Sequence, residues 1–495
     1  MRLKHRLHKF SMTNTNSRNN TILFLSGFNL ILYNFLLIHP VTIAVGQAEI
    51  AVLIFTLAYF SGISFGYLIS DKISLKFIRI LFPWIFLIQL LMVISLPFIF
   101  RKIDKFFDNL IGDSGIIPEA ILFLLIMIAG TSLYAVFLPR IINVENKDIK
   151  SCYRIEVIGS ICGLLLIPVA SILSFSVMVM IYFLFLLWIY YSIYSNLIML
   201  IGLCIIGILF FVNFSSLDAE FSKLYYQSRM KSRHIDFVEH IQYTPYHKIE
   251  ILVSTNGKRT LVLNGKTQFG ESSHHNYSYF LAEYPAKLLG NPSACILGCG
   301  SMSTVGRIGD MCTSIQIVDL DEGVFNTSRK YFQKYNRLDS LDNWQFEADD
   351  AKHFLANNSE KYDLILHDIP PAKSRQIALT YTREFFQSVK NNLSDRGIFS
   401  ISSLTPLNSK SQYGLRMMAT LVDVFDEYFI LTYKNGVYFY GGNETLKILD
   451  ENGIRESINH TNSRRVRILA KDEIERIVKG SDVITVNNLR DLIFD

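Results

Sequence analysis

The chain is poor in charge and poor in the residues that build staples or metal cages. Only 18% of its 495 residues are charged, and its six cysteines stand in no metal-ligand spacing, so neither a zinc site nor a disulfide framework is expected. No solenoid repeat and no low-complexity tract interrupts it. The net charge of +5 is scattered apart from a cluster before the first apolar run, which removes the electrostatic case for nucleic acid. That first apolar run lacks a small-residue cleavage site and is too long for a signal-peptide core, so it is expected to stay in the mature chain. What the sequence has in abundance is apolar length. Half of it is hydrophobic and 13% is aromatic, with the excess in the first 213 positions.

Residues 1–20 form a polar, basic tail with Arg2, Lys4, Arg6 and Lys9. Apolar runs long enough to cross a bilayer follow near 21–45, 48–70, 78–100 and 117–139, then an almost unbroken block over 154–213. At about 20 residues per crossing that block holds three helices, so residues 21–213 read as a transmembrane domain of about seven helices. The basic tail argues for a cytoplasmic N-terminus. Seven crossings would then put the rest of the chain outside, whereas the supply of a nucleoside cofactor argues for a cytoplasmic catalytic half; the latter is taken as the expectation. Few ionisable residues beyond Glu156, Glu119 and Asp71 lie in or beside these runs, which favours an anchor, or a path for an apolar substrate, over an ion or polyamine pathway.

Residues 214–240 read as a polar connector, and 241–291 as a small β-subdomain. Within it Lys248–Val253 and Thr260–Leu263 alternate like strands around an Asn256-Gly257 turn signal. Over 292–445 the pattern becomes strand, helix, strand. Ala294–Leu297, Ser314–Val318, Trp344–Glu347, Tyr362–His367 and Gly397–Ile401 are the expected strands of a doubly wound α/β domain. Residues 446–495 form a charged extension on which the sequence is uninformative.

Candidate functional residues gather where those strands end. Gly298 and Gly300 flank a turn at which the chain leaves a strand and must pass close to a ligand. Asp319 closes the second strand about 20 positions later, where a carboxylate can accept both hydroxyls of a ribose, and Asp350 after the third strand can accept an adenine amine or cap a helix. No Lys-Ser/Thr phosphate cradle follows Gly300, so a nucleoside fits better than a nucleoside triphosphate. Asp368 ends the fourth strand ahead of Ile369-Pro370-Pro371, beside the crevice in which open α/β sheets place their ligands. His367 points the opposite way along the strand and reads as packing or surface.

On these residues the chain resembles the spermidine/spermine synthase family of polyamine aminopropyltransferases, and in particular its membrane-fused members. In the apolar half the likeness rests on Phe24-Leu25-Ser26-Gly27-Phe28 with Tyr33, and on Gly159-Ser160-Ile161-Cys162-Gly163. In the soluble half it rests on Tyr243-Thr244-Pro245-Tyr246, Leu263–Gln268, Gly298-Cys299-Gly300, Val318–Asp321, Asp350-Ala351, Asp368 and Tyr381–Phe386. The resemblance implies a multi-pass α-helical membrane domain followed by an α/β Rossmann-like domain of the class I methyltransferase type, preceded by the small β-subdomain. It implies that Gln268 contacts a sulfonium nucleoside, that Asp319 holds its ribose and Asp350 its adenine, and that Tyr277 and Tyr381 meet the acceptor. Asp368 would orient or deprotonate an attacking amine. The co-substrate would be decarboxylated S-adenosylmethionine or S-adenosylmethionine, with methylthioadenosine leaving and no metal. The implied partners are a small-molecule amine or other nucleophile, the lipid bilayer and further copies of the chain.

Three departures bear on the acceptor. Where the family has Gly-Gly-Gly-Asp-Gly, this chain has Gly298-Cys299-Gly300-Ser301-Met302; the second acid of the family's Asp-x-x-Asp-Pro loop is Pro371; and a Tyr-His-Glu stretch is Tyr277-Ser278-Tyr279. A doubly charged diamine needs negative partners to offset its desolvation, so the expected acceptor is not a standard diamine. Two other classes stay open: a methyltransferase of the same fold, and a non-catalytic membrane sensor that binds the nucleoside.

Overall fold

The computed structural model describes the chain except residues 1, 46–47, 112–116, 146–147, 171–173, 195, 231–233, 273–274, 299, 373, 404–411, 434–435, 444–465 and 490–495. Two compact units divide it: Met1–Gly257 with Leu263–Lys266, and Lys258–Val262 with Thr267–Asp495.

The first unit is helical. It contains α1 (Arg2–Val45), α2 (Ala48–Ile69), α3 (Leu75–Ile111), α4 (Ile117–Ala135), α5 (Phe137–Glu145), α6 (Ile149–Ala170), α7 (Phe175–Tyr194), α8 (Leu197–Val212) and α9 (Phe214–Arg229). Among the described residues five stretches are long and apolar enough to cross a membrane, and the α8–α9 pair, bent by 65°, makes a sixth if counted as one span. The block expected to hold three helices holds α6, α7 and α8, while the stretch read as a connector is ordered as α9 and the start of a strand.

Small residues set how closely these helices approach. A Cβ on Gly159 would drive into the Phe24 carbonyl, and one on Gly27 into the Glu156 carbonyl. The two apolar motifs singled out from the sequence are therefore the two sides of one helix crossing, between α1 and α6. Gly62 and Gly66 of α2 meet Thr131 and Ala135 of α4 in the same manner. One polar cluster inside the bundle joins three helices: the Tyr182 hydroxyl donates to Gln89 Oε1 (2.7 Å) and lies 2.7 Å from the Tyr134 hydroxyl. Gly159→Val is expected to lower stability by roughly 1–3 kcal/mol through overpacking at this crossing, with Gly159→Ala milder. Thermal unfolding in detergent measures it, and an unchanged Tm for the valine variant would contradict the crossing.

The first unit also carries β1 (Ile235–Tyr243) and β2 (Lys248–Ser254), an antiparallel pair. After β2 the chain turns at Gly257, whose φ of 75° suits glycine and whose N–H donates to the Ser254 carbonyl (2.8 Å). The strands β3 (Arg259–Leu263) and β4 (Lys266–Gly270) follow.

The second unit is built on an eight-stranded sheet. In chain order it adds α10 (His275–Ser278), α11 (Tyr284–Leu289), β5 (Ser293–Leu297), α12 (Ser303–Ile308), β6 (Ser314–Asp319), α13 (Glu322–Tyr331), α14 (Gln333–Asn336), β7 (Trp344–Ala348), α15 (Ala351–Asn357) and β8 (Tyr362–His367). Then come α16 (Arg375–Ala378), α17 (Arg383–Asn392), β9 (Leu393–Ser403), α18 (Gln412–Val424), β10 (Glu427–Tyr433), β11 (Gly436–Gly442), β12 (Val466–Leu469) and a last helix, α19 (Lys471–Val478). The spatial order is β12-β10-β11-β9-β8-β5-β6-β7. Strands β7, β6, β5, β8 and β9 run parallel, and β11, β10 and β12 complete the sheet antiparallel.

This is the doubly wound α/β fold expected from the sequence, and its central strands show why they form. Ala294–Leu297 and Leu364–Leu366 are fully buried, as unbroken apolar runs are when helices cover both faces of a parallel sheet. Strand order reverses between β5 and β8, so the crevice for a ligand opens at their carboxyl ends. Part of the C-terminal extension belongs to this unit. Beyond β12 and α19, the Ile484 N–H donates to Thr420 Oγ1 (2.8 Å) and its carbonyl accepts from the Arg383 N–H (2.8 Å).

Candidate active site

At the carboxyl end of β5 the backbone makes a sharp turn that only small residues permit. Gly298 has φ 88°, and a Cβ there would stand 2.7 Å from the Asp368 carbonyl. The Gly298 N–H donates to Val318 of β6 (2.8 Å), and the Asp368 N–H donates to Leu297 of β5 (2.8 Å). Gly298 thus lets the ends of β5 and β8 close on each other. Gly300, at φ 43°, would meet nothing within 4 Å, so its lack of a side chain leaves open space above the turn. Cys299 between them lies outside the described residues.

The turn continues under strain into α12. Met302 is fully buried at φ 56°, a left-handed conformation uncommon outside glycine. Ser301, in place of the family's acid, accepts from the Ser303 N–H (3.3 Å) and is buried. One position further, the Thr304 hydroxyl donates to Asp368 Oδ2 (3.0 Å). Tyr277 of α10 donates to the other oxygen, Oδ1 (2.8 Å). Asp368 is held between two neutral hydroxyl donors.

Burial raises the Asp368 carboxyl to about 7; the negative charge of Asp319 pushes the same way, while the two hydroxyl donors pull down. Burial also keeps the Tyr277 phenol far above its ordinary range, so it remains a neutral donor. A carboxyl poised near neutrality at a strand end can take a proton from an incoming group and hold it. Asp368 should therefore act as a base on a limb of the pH profile that rises through about pH 7. Tyr277→Phe removes a donor that stabilises the charged form and should move that limb to higher pH. A profile of kcat/KM between pH 5 and 9 tests this, and an unmoved limb would count against the contact.

The other candidates are placed as follows. Asp319 closes β6; its Oδ1 accepts from the Asp321 N–H (2.8 Å), and its carbonyl accepts from the Asp349 N–H (3.1 Å), tying the ends of β6 and β7 together. Asp350 is the N-cap of α15 and accepts from the Lys352 N–H (2.8 Å), with Lys352 Nζ 3.5 Å from its other oxygen. Gln268 stands half-buried on β4. No hydrogen bond ties Gln268 or Asp350 to Asp368 among the described residues. Tyr381 is buried, and its hydroxyl is shared between the Ile369 and Pro370 carbonyls (3.0 and 2.9 Å); it braces the proline loop after Asp368.

His367 packs inside, its Nε2 3.1 Å from the Thr380 carbonyl and its ring edge-on to Tyr381. Burial brings it down to about 4, so it is neutral at physiological pH. Tyr279, where the family's Tyr-His-Glu stretch has its acid, is buried with the Lys287 ammonium 5.5 Å from its ring centroid. Thr304 is the residue that sequence reasoning missed. A lone threonine on a short helix has no motif, and the one clue was its place shortly after the Gly-x-Gly turn.

Residues 275–449 match the spermine/spermidine synthase domain family. Over 165 residues the chain is 31% identical to polyamine aminopropyltransferase 2 of Aquifex aeolicus, covering 32% of this chain and 33% of that protein. Over 228 residues it is 26% identical to the polyamine aminopropyltransferase of Saccharolobus solfataricus, covering 44% and 75%. The chain thus spans about a third of the first relative's length and three quarters of the second's. A crystal structure of spermidine synthase from Thermotoga maritima aligns over 52% of this chain and 87% of that one, with 17% identity and a TM-score of 0.40.

Proposed function

Because this chain carries a spermine/spermidine synthase domain at residues 275–449, we propose that it is a membrane-bound transferase that moves a propylamine-type group from a sulfonium nucleoside to an acceptor and releases methylthioadenosine. The observation that carries the reading is the Asp368 carboxyl, poised near neutrality and held by Tyr277 and Thr304 at the switch point of the sheet.

In this reading the turn from Gly298 to Gly300 gives the nucleoside its close approach, Asp319 accepts the ribose hydroxyls and Asp350 the adenine amine. Gln268 lies on the side of the sulfonium chain. The sulfonium already activates its leaving group, so the protein aligns the reactants and removes one proton. An acceptor nitrogen attacks the carbon beside the sulfonium, the carbon–sulfur bond breaks with its electron pair going to sulfur, and Asp368 Oδ takes the proton. Tyr277 and Thr304 fix the direction of the Asp368 lone pairs. Tyr381 sets the loop behind it.

The acceptor is proposed to differ from a standard diamine. Ser301 stands neutral and engaged with its own loop where the family has an acid, and Tyr279 faces cations where the family has another. A second ammonium would find fewer carboxylates to repay its desolvation. Equilibrium binding tests this: methylthioadenosine should bind, and Asp319→Ala should weaken it about tenfold or more through lost charge-assisted hydrogen bonds. Tight association of putrescine would contradict the acceptor reading, and a nucleoside affinity indifferent to Asp319 would contradict the site.

A further inference from the structure

The two ends of α1 lie at opposite ends of the helical unit. Its membrane-length stretch is Ser17–Ala44, 28 residues, which as a helix is roughly 42 Å long, against a hydrocarbon core of about 30 Å. At one end Arg18 donates to the Ser192 carbonyl near the C-terminus of α7. At the other, the Ile43 carbonyl accepts from the Tyr225 hydroxyl of α9 (3.4 Å), and the Ile43 side chain lies beside Gly265 in the turn between β3 and β4. The start of α7 is at that second end as well, with Phe175 stacked on Tyr243 of β1 at 4.2 Å. Both α1 and α7 therefore run the full span, in opposite directions, between the tail's end and the end where β1 and β2 begin the soluble part.

From this we infer that the basic N-terminal tail and the catalytic half lie on opposite faces of the membrane, the tail in the cytoplasm and the catalytic half outside it. The inference rests on the reading of these helices as membrane-crossing. It does not rest on counting helices, because one helix with both ends located settles the relation. Chain continuity does the rest: the second unit resumes at Thr267, two positions after Gly265, and among the described residues no membrane-length apolar helix follows that could return it across.

Charge assigns the faces. The α2 stretch Ala51–Ile69 crosses back, so the turn with Asp71 and Lys72 shares the tail's face. Asn143 of α5 donates to Asp71 (2.8 Å), which brings Arg140 to that face too. Arg2, Lys4, Arg6, Lys9, Lys72 and Arg140 thus stand on one side; Arg101, Lys102 and Lys105 follow Phe98 of α3, whose ring lies 6.2 Å from that of Phe221 of α9, and so belong to the other. An excess of basic residues marks the cytoplasmic face. The cytoplasmic tail and the cytoplasmic catalytic half expected from the sequence cannot both hold, and the charges retain the tail. The domain would then draw its sulfonium nucleoside and its acceptor from the outer compartment.

Epitope tags at the two ends of the full chain, expressed in a bacterial host, test this. In intact spheroplasts the C-terminal tag should be open to antibody and the N-terminal tag should become so only after detergent. Both tags reached together, or the reverse pattern, would overturn the inference. Extraction of the protein by alkaline carbonate would overturn it by removing the membrane reading, and would leave the transferase reading untouched, because methylthioadenosine formation can be assayed on the same material.

Discussion

Asp368→Asn is expected to lower turnover by about 10²–10⁴-fold, the range for removing a positioned general base, with little change in nucleoside affinity. The amide keeps the shape of the carboxylate. Its oxygen can still accept from Tyr277 and its nitrogen can donate to Thr304, whose hydroxyl can turn to accept. Fold stability should hold or rise, because the native Asp368 binds its proton more tightly than in the unfolded chain, where a carboxyl titrates at about 3.9. With the folded value raised to about 7, that site costs stability progressively as pH climbs from about 4 to 7, and the cost is constant above that. The asparagine variant removes that penalty. Steady-state kinetics with a melting curve in parallel separate the effects: a fall in kcat with an unchanged or higher Tm identifies the base, and a rise in KM alone would make Asp368 a binding residue.

Lys248→Met is the second large effect, and it falls on stability. Lys248 is buried in the first unit with its ammonium 2.8 Å from Asp218 Oδ1, 3.1 Å from Glu250 and 2.8 Å from the Ser222 hydroxyl. Tyr243 donates to the second oxygen of Asp218 (2.9 Å), and Tyr226 donates to Glu250. Burial works to discharge the lysine, but Asp218 first and Glu250 next override it and hold the ammonium far above its usual range. Because the folded value is raised, this contribution is fully present at neutral pH and is lost only as pH rises beyond the ordinary lysine range. Methionine would leave two buried carboxylates facing each other, a loss of about 3–5 kcal/mol. The triple variant Lys248→Met, Asp218→Asn, Glu250→Gln should recover much of it, since no charge is then stranded. Denaturant unfolding in detergent reads both, and a triple variant no better than the single one would mean that the cluster matters by shape and not by charge.

How far the fold was legible depended on which physical signal each part carries. The central parallel strands could be read because two-sided burial demands continuous apolar runs, and Ala294–Leu297 and Leu364–Leu366 supply them. The helices over 154–213 could be read because a continuous apolar block divides into helices at about 20 residues for each stretch long enough to cross a bilayer. The α1–α6 crossing could not be derived, although both of its glycine motifs were noticed, because a motif does not name its partner. The order in 214–240 was hidden for a different reason. Polar residues such as Asp218 and Ser222 look like linker in sequence, and only their pairing with Lys248 explains why they are buried. In the site, Asp368 was visible from its place at a strand end, and Thr304 was not, since its role comes from a contact across 64 positions. Tyr381 was expected to meet the acceptor, but its hydroxyl is engaged by the loop that follows Asp368.

The identity of the nucleoside product tests the central claim most directly. The purified full chain, given decarboxylated S-adenosylmethionine or S-adenosylmethionine with a panel of amines and other nucleophiles, should release methylthioadenosine, identified by mass spectrometry, and Asp368→Asn should abolish that release. S-adenosylhomocysteine as the product would mean methyl transfer instead, and bound nucleoside with no product from any acceptor would mean a sensor; either result would contradict the account.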